Sequence, residues 1–135
     1  MNYFLIFLFI FIVFDLIILF LVIKNRRKSK FSEKDLNFIK INWFRILDLS
    51  KTNPEKSIMD ADKLLDFALS KRGKEGTLAE KLKTSKNLFN DINSVWSAHK
   101  LRNKIAHEFK DLKESEIKFA LKAFKRALTD LGVDL

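Results

Sequence analysis

The chain has 135 residues, with 26 Lys and Arg against 17 Asp and Glu, for a formal net charge of +9. That balance favours polyanionic neighbours, RNA or a membrane surface, and does not choose between them. The absence of cysteine excludes disulfides and thiolate metal sites. Two histidines without a matching carboxylate pattern argue against a zinc or di-iron centre, so neither a metal nor a cofactor is expected.

The first element is apolar. Tyr3 to Ile23 is a run of Phe, Leu, Ile and Val broken only by Asp15. At about 1.5 Å per residue it reaches across a hydrocarbon core of about 30 Å. No basic residue precedes it and no small-residue cleavage site closes it, so it reads as an uncleaved anchor and not as a signal peptide. Residues 1–23 are thus expected to be a single transmembrane helix in contact with membrane lipid. Lys24, Arg26, Arg27, Lys28 and Lys30 follow in a basic juxtamembrane linker, residues 24–32. The positive-inside rule then puts the amino terminus outside and the carboxy-terminal part in the cytoplasm, as a single-pass protein of the inner (cytoplasmic) membrane. The same cluster can rest on anionic headgroups. Asp15 reads either as a helix–helix or partner contact, or as a tolerated side chain in an anchor with hydrophobicity to spare.

Residues 33–135 are enough for one compact domain and not two. Ser32 before Glu33 and Asp35 reads as a helix start, and Leu36, Ile39, Trp43, Ile46 and Leu47 recur at helical spacing to about Leu49. Asn53 and Pro54 open a second helix, with Ile58, Ala61, Leu65, Ala68 and Leu69 on one face, ending at Arg72-Gly73. Thr77-Leu78-Ala79-Glu80 is a capping box that starts a short helix to about Lys83. A longer helix is expected from about Leu88 to Glu108. The last runs from Glu114 to Leu131, with Ile117, Ala120, Leu121, Phe124, Leu128 and Leu131 in one stripe and Gly132 as its cap. No strand-length alternation is present. The fold class is all-α: an anchor helix followed by a bundle of four or five helices.

Candidate chemistry lies in Ala98-His99-Lys100-Leu101-Arg102-Asn103-Lys104-Ile105-Ala106-His107-Glu108. Arginine offers an always-charged fork for phosphate oxygens, and histidine has the side-chain pKa nearest neutrality. At about 100° per residue, Trp96, His99, Asn103 and His107 fall within about 80° of one another, while Arg102 points about 140° away from His107. One regular helix therefore cannot aim both side chains at one phosphate. His99 reads as an amphipathic residue at a helix contact or as a second catalytic group, and Trp96 as a core or dimer-interface residue or a base-stacking platform. Lys118, Lys122 and Lys125 lie opposite the apolar stripe of the last helix, as a solvated face or as phosphate-backbone contacts.

Arg102, four intervening residues and His107, with the polar Asn103 after the arginine, resemble the motif of the HEPN domains. Ala61-Asp62-Lys63-Leu64-Leu65-Asp66, then Gly73, Gly76-Thr77-Leu78 and Val95-Trp96-Ser97-Ala98-His99 resemble a membrane-anchored bacterial branch of that family, of unknown function. The resemblance covers roughly residues 40 to 131. It implies a HEPN-like bundle that works as a homodimer, with two motifs facing a shared cleft. It also implies metal-independent RNA cleavage by the substrate's own 2′-hydroxyl. In that reading His107 is general base or acid, Arg102 holds the phosphate, and Asn103 orients the histidine or binds phosphate. Lys100, Lys104, Lys118, Lys122 and Lys125 are the accompanying RNA-binding candidates. Three readings stay open at this point: an endoribonuclease, a non-catalytic module that binds RNA or a protein (an antitoxin or another partner) at the membrane, and a small anchored oligomerisation domain in which Asp15 and the helix face serve assembly.

Overall fold

The structure, a computed structural model, describes residues 2–28, 31–108 and 111–135. Among them every regular element is helical. The chain divides into two units, residues 1–30 and residues 31–135.

The first unit is one helix, α1 (Tyr3–Lys28). Its segment Tyr3–Val22 is long and apolar enough to cross a membrane, and none of it is buried against protein. The helix continues beyond the expected end of the span, through Lys28, because no glycine or proline interrupts Lys24-Asn25-Arg26-Arg27-Lys28 and Lys and Arg are good helix formers. Lys30 lies outside the described residues, as do the side chains of the rest of the basic cluster.

The second unit holds α2 (Glu33–Leu49), α3 (Pro54–Lys71), α4 (Leu78–Thr84), α5 (Ile92–His107) and α6 (Glu114–Asp130). Each start has a local cause. Ser32 accepts the Asp35 amide at 3.1 Å, and Asn53 accepts the Lys56 amide at 3.0 Å with Pro54 behind it. Thr77 and Glu80 satisfy each other's amides in the expected capping box, at 3.3 and 2.7 Å. The Thr77 amide, then its hydroxyl, holds the Glu80 carboxyl below its ordinary pKa. Gly73 and Gly132, with φ of 79° and 101°, close α3 and α6. The Lys74 amide then reaches Leu69 O at 3.0 Å, and the Val133 amide reaches Leu128 O at 3.1 Å.

One boundary differs from the sequence reading. The helix expected from Leu88 begins only at Ile92, after a short 3-10 turn over Lys86–Leu88. Phe89 is extended and buried in the core, and Asn90 is tied to Asp130 of α6 through both its amide (2.9 Å) and its side chain (2.6 Å). Asp91 then caps the helix by accepting the Ser94 amide at 3.0 Å. A long-range tie and a buried aromatic fix the start, and neither is visible in helical periodicity.

Helix α3 is central, packing against α2, α4, α5 and α6. Ile58, Ala61, Leu65, Ala68 and Leu69 are buried as expected, alongside Trp43 and Ile39 of α2 and Phe124 and Leu128 of α6. Ala123 and Ala127 widen the buried stripe of α6 beyond the expected positions, because small side chains let α6 approach its neighbours closely. Lys81 is the one buried lysine among the described residues. Its ammonium meets Asp66 Oδ1 at 2.8 Å and Ser70 Oγ at 2.6 Å, pinning α4 to α3.

Candidate functional site

Asp62 lies on the buried face of α3, in helical register with Ile58 and Leu65, and is only 5% exposed. Opposite it, α5 presents His99, Arg102 and Asn103 at spacings of three and four, so that all three lean toward α3. The four side chains close a ring. His99 Nδ1 lies 2.7 Å from Asp62 Oδ1, and Arg102 Nε lies 3.4 Å from Asp62 Oδ2. Arg102 Nη1 donates to Asn103 Oδ1 at 3.0 Å, and Asn103 Nδ2 faces His99 Nε2 at 3.4 Å.

The donor inventory fixes the orientation of every member. A guanidinium only donates, so the Asn103 oxygen faces Arg102 and its amino group faces His99. Nε2 of His99 is then the acceptor, and Nδ1 carries the proton that it donates to the Asp62 carboxylate. The weakest link is Arg102 Nε to Asp62. It is within ion-pairing distance but lacks hydrogen-bond alignment, so the nitrogen is otherwise without a partner. Trp96 stands edge-on to the His99 ring at 6.0 Å and shields it on one side.

His99 is therefore at a helix contact, as expected, but that contact is an Asp62-His99 pair and not a merely amphipathic placement. Spacing alone assigns no role to Asp62 and does not reveal that His99 meets it. A signal was present: Asp62 is a carboxylate at a core position of an otherwise apolar stripe, and His99 follows Val95 by four on the buried side of α5. Of the motif itself, the structure brings Arg102 and Asn103 together and leaves His107 apart. His107 is the last residue of α5, exposed, and makes no side-chain hydrogen bond or ion pair among the described residues.

The lysines divide as well. Lys100 and Lys104 are exposed on α5. Lys118 is paired with Glu114 at 2.6 Å, which holds the Glu114 carboxyl below its ordinary pKa. Lys122 and Lys125, together with Arg126, line an open groove of about 570 Å³ between the start of α5 and the end of α6. Its two acids are engaged from within. Asp130 accepts both Asn90 bonds, and Asp91 caps α5, its carboxyl held low first by the Ser94 hydroxyl and more weakly by the Arg126 charge. No salt bridge within 4.0 Å engages Lys122, Lys125 or Arg126 among the described residues. Arg126, Asn90 and Ser94 escaped the sequence reading because α5 and α6 meet only in the fold. No group of His, Asp and Glu able to hold a metal ion is found among the described residues. No family model, no curated protein and no solved structure matches this chain.

Proposed function

We propose that this chain is a membrane-anchored, cytoplasm-facing HEPN-like module that binds RNA through the cationic groove between α5 and α6. The observation that carries the reading is the lining of that groove: three cations border it, none within 4.0 Å of a carboxylate among the described residues, against two acids that keep their charge and are held in place by Asn90 and Ser94. A surface of this kind attracts a phosphate backbone without reading sequence. The α1 segment supplies the anchor, and the basic flank supplies the orientation by the positive-inside rule. Binding of a labelled single-stranded RNA should weaken with salt at a log–log slope of about −2 for three phosphate contacts. Lys122→Ala with Lys125→Ala should bring the slope to about −0.7. An unchanged slope refutes the groove as the site.

A second reading, the metal-independent endoribonuclease, is favoured by one feature: Arg102 is held by Asp62 and Asn103 and does not swing freely in water. A pre-positioned guanidinium suits a phosphate in the transition state. Against this, the Asp62 charge offsets that of Arg102, both His99 nitrogens are engaged, and His107 has no residue to orient it. Catalysis would need the His107 of a second copy, hence a homodimer. RNA incubated with the protein and a chelator decides the matter. Cleavage to 2′,3′-cyclic phosphate ends, lost by about 10²- to 10⁴-fold in His107→Ala, establishes the enzyme. Salt-dependent binding without cleavage establishes the module.

A further inference from the structure

Helix α2 buries Ile39, Trp43 and Ile46 against the bundle and leaves the opposite side uncovered. Ile41 stands on the midline of that outer face, 68% exposed, with Phe38 and Phe44 about 60° to either side and 46% and 60% exposed. Phe38 also packs on Phe67 of α3, ring centroids 4.6 Å apart, so it forms one edge of the face. Lys34 and Asp48 are exposed about 20° to either side of Ile41, one seven residues before it and the other seven after. Asn37 and Arg45, four residues out in each direction, are exposed polar positions between them. The pattern therefore reads alike outward from Ile41 in both directions, except that a cation ends one arm and an anion the other. No ion pair within 4.0 Å engages Lys34 or Arg45 among the described residues. Asp48 pairs with Lys51 at 3.0 Å, but at 81% and 75% exposure that contact is weak and leaves the carboxylate open to a second cation.

We propose that two copies of the chain pair through this face, α2 antiparallel to α2 of the second copy, about a two-fold axis through Ile41. In that register Ile41 meets its own mate, Phe38 meets Phe44 of the second copy, and Lys34 meets Asp48 of the second copy. Helices packed about 8–10 Å apart bring residues at the axis into contact. Residues seven positions out lie about 10 Å along each helix, so the opposite charges again face each other. The interface has an apolar centre with a Lys34–Asp48 pair at each end, each contact made twice, as a two-fold interface requires. Charge complementarity of this kind selects a second copy. Asp48 near the midline is repelled by an anionic lipid surface, and an unrelated partner has no need of a face that reads alike from both ends. This pairing is separate from the shared cleft of the endoribonuclease reading, because Arg102 and His107 belong to α5 and lie outside the face. The cations of the α5–α6 groove also lie outside it, so one dimer presents that groove twice.

The natural absence of cysteine makes the test direct. The full chain, carrying one cysteine at a time, would be reconstituted in phosphatidylcholine vesicles and oxidised, with disulfide-linked dimer followed on non-reducing gels. Ile41→Cys lies on the proposed axis and should link to its mate well ahead of Asn87→Cys, an exposed site outside the face that reports chance collision. Lys34→Asp or Asp48→Lys, each added to Ile41→Cys, should slow that link by about tenfold, since each reversal turns two attractions into two repulsions. Mixing the two reversed variants, one of them size-tagged, should restore the fast link between them, because every charged contact across the axis again joins opposite signs. A link at 41 no faster than at 87 overturns the proposal and gives the face to lipid, to α1 or to another protein. A fast link that ignores both reversals, or that the mixture fails to restore, places a different packing on this face and also overturns it.

Discussion

Replacing Asp62 with alanine tests whether the ring between α3 and α5 is a working unit of the fold. The substitution leaves the His99 Nδ1 proton without an acceptor in a site only 9% exposed, which costs about 1–3 kcal/mol. It also removes the ion pair to Arg102, but that side chain is 26% exposed, so water compensates and the loss stays below about 1 kcal/mol. The total is about 1–4 kcal/mol, a sizeable part of the roughly 5–15 kcal/mol that holds an ordinary domain together. Asp62→Asn should cost less, about 1–2 kcal/mol, because the amide oxygen still accepts from His99 while the charge assistance is gone. Asn103→Ala, whose bond to His99 is long at 3.4 Å, should cost about 1 kcal/mol at most. Urea unfolding of residues 31–135, followed by circular dichroism, measures each variant. The decisive quantity is the coupling in a cycle of Asp62→Ala and His99→Ala, expected at about 1 kcal/mol or more. Coupling within about 0.5 kcal/mol of zero would show that the 2.7 Å contact contributes nothing of its own, and would refute the reasoning.

The other expectations concern the anchor of α4, the response to acid and the topology. Lys81→Ala should destabilise the domain by about 2–4 kcal/mol, since it removes the bonds to Asp66 and Ser70 and the buried apolar stem, while the Asp66 carboxylate left behind is 42% exposed and stays hydrated. Lys81→Met, which keeps the stem, should recover part of that loss in the same urea assay. The carboxyls of Asp35, Glu80, Asp91 and Glu114 are all held below their ordinary pKa in the fold, Asp35 chiefly by the Ser32 hydroxyl. Their contribution is complete above the unfolded carboxylate pKa of roughly 4 and is lost as pH falls through the lower folded values. The melting temperature should therefore hold steady down to about pH 5 and drop below about pH 4, with a shallower drop in Glu80→Gln. A reporter fused after Leu135 should be active in the cytoplasm, because the basic cluster from Lys24 to Lys30 resists translocation; activity on the far side would exclude a cytoplasmic RNA ligand.

The local elements were legible in the sequence because each is set by neighbours within four residues. Ser32, Asn53-Pro54, the Thr77–Glu80 box, Gly73 and Gly132 mark helix ends through bonds that their own segments supply. The apolar run from Tyr3 announces its length directly, and the stripes of α3 and α6 follow from a period of 3.6. What the tertiary structure decided is everything that joins distant residues. Asn90 and Asp130 delayed the start of α5, which periodicity alone placed near Leu88. The motif divided in the same way. Arg102 and Asn103 were recognisable from spacing, but the group that fixes them, Asp62, lies on another helix, and spacing alone does not reveal that His99 is the side chain that meets it. Nor could spacing tell paired lysines from those lining a groove, because Lys118 meets Glu114 one turn away while Lys122 and Lys125 face a cleft that exists only once α5 packs on α6. Helix ends are a property of the chain's short range; a site is a property of which helices meet, and α3 set that by burying a carboxylate where its own pattern called for an apolar side chain.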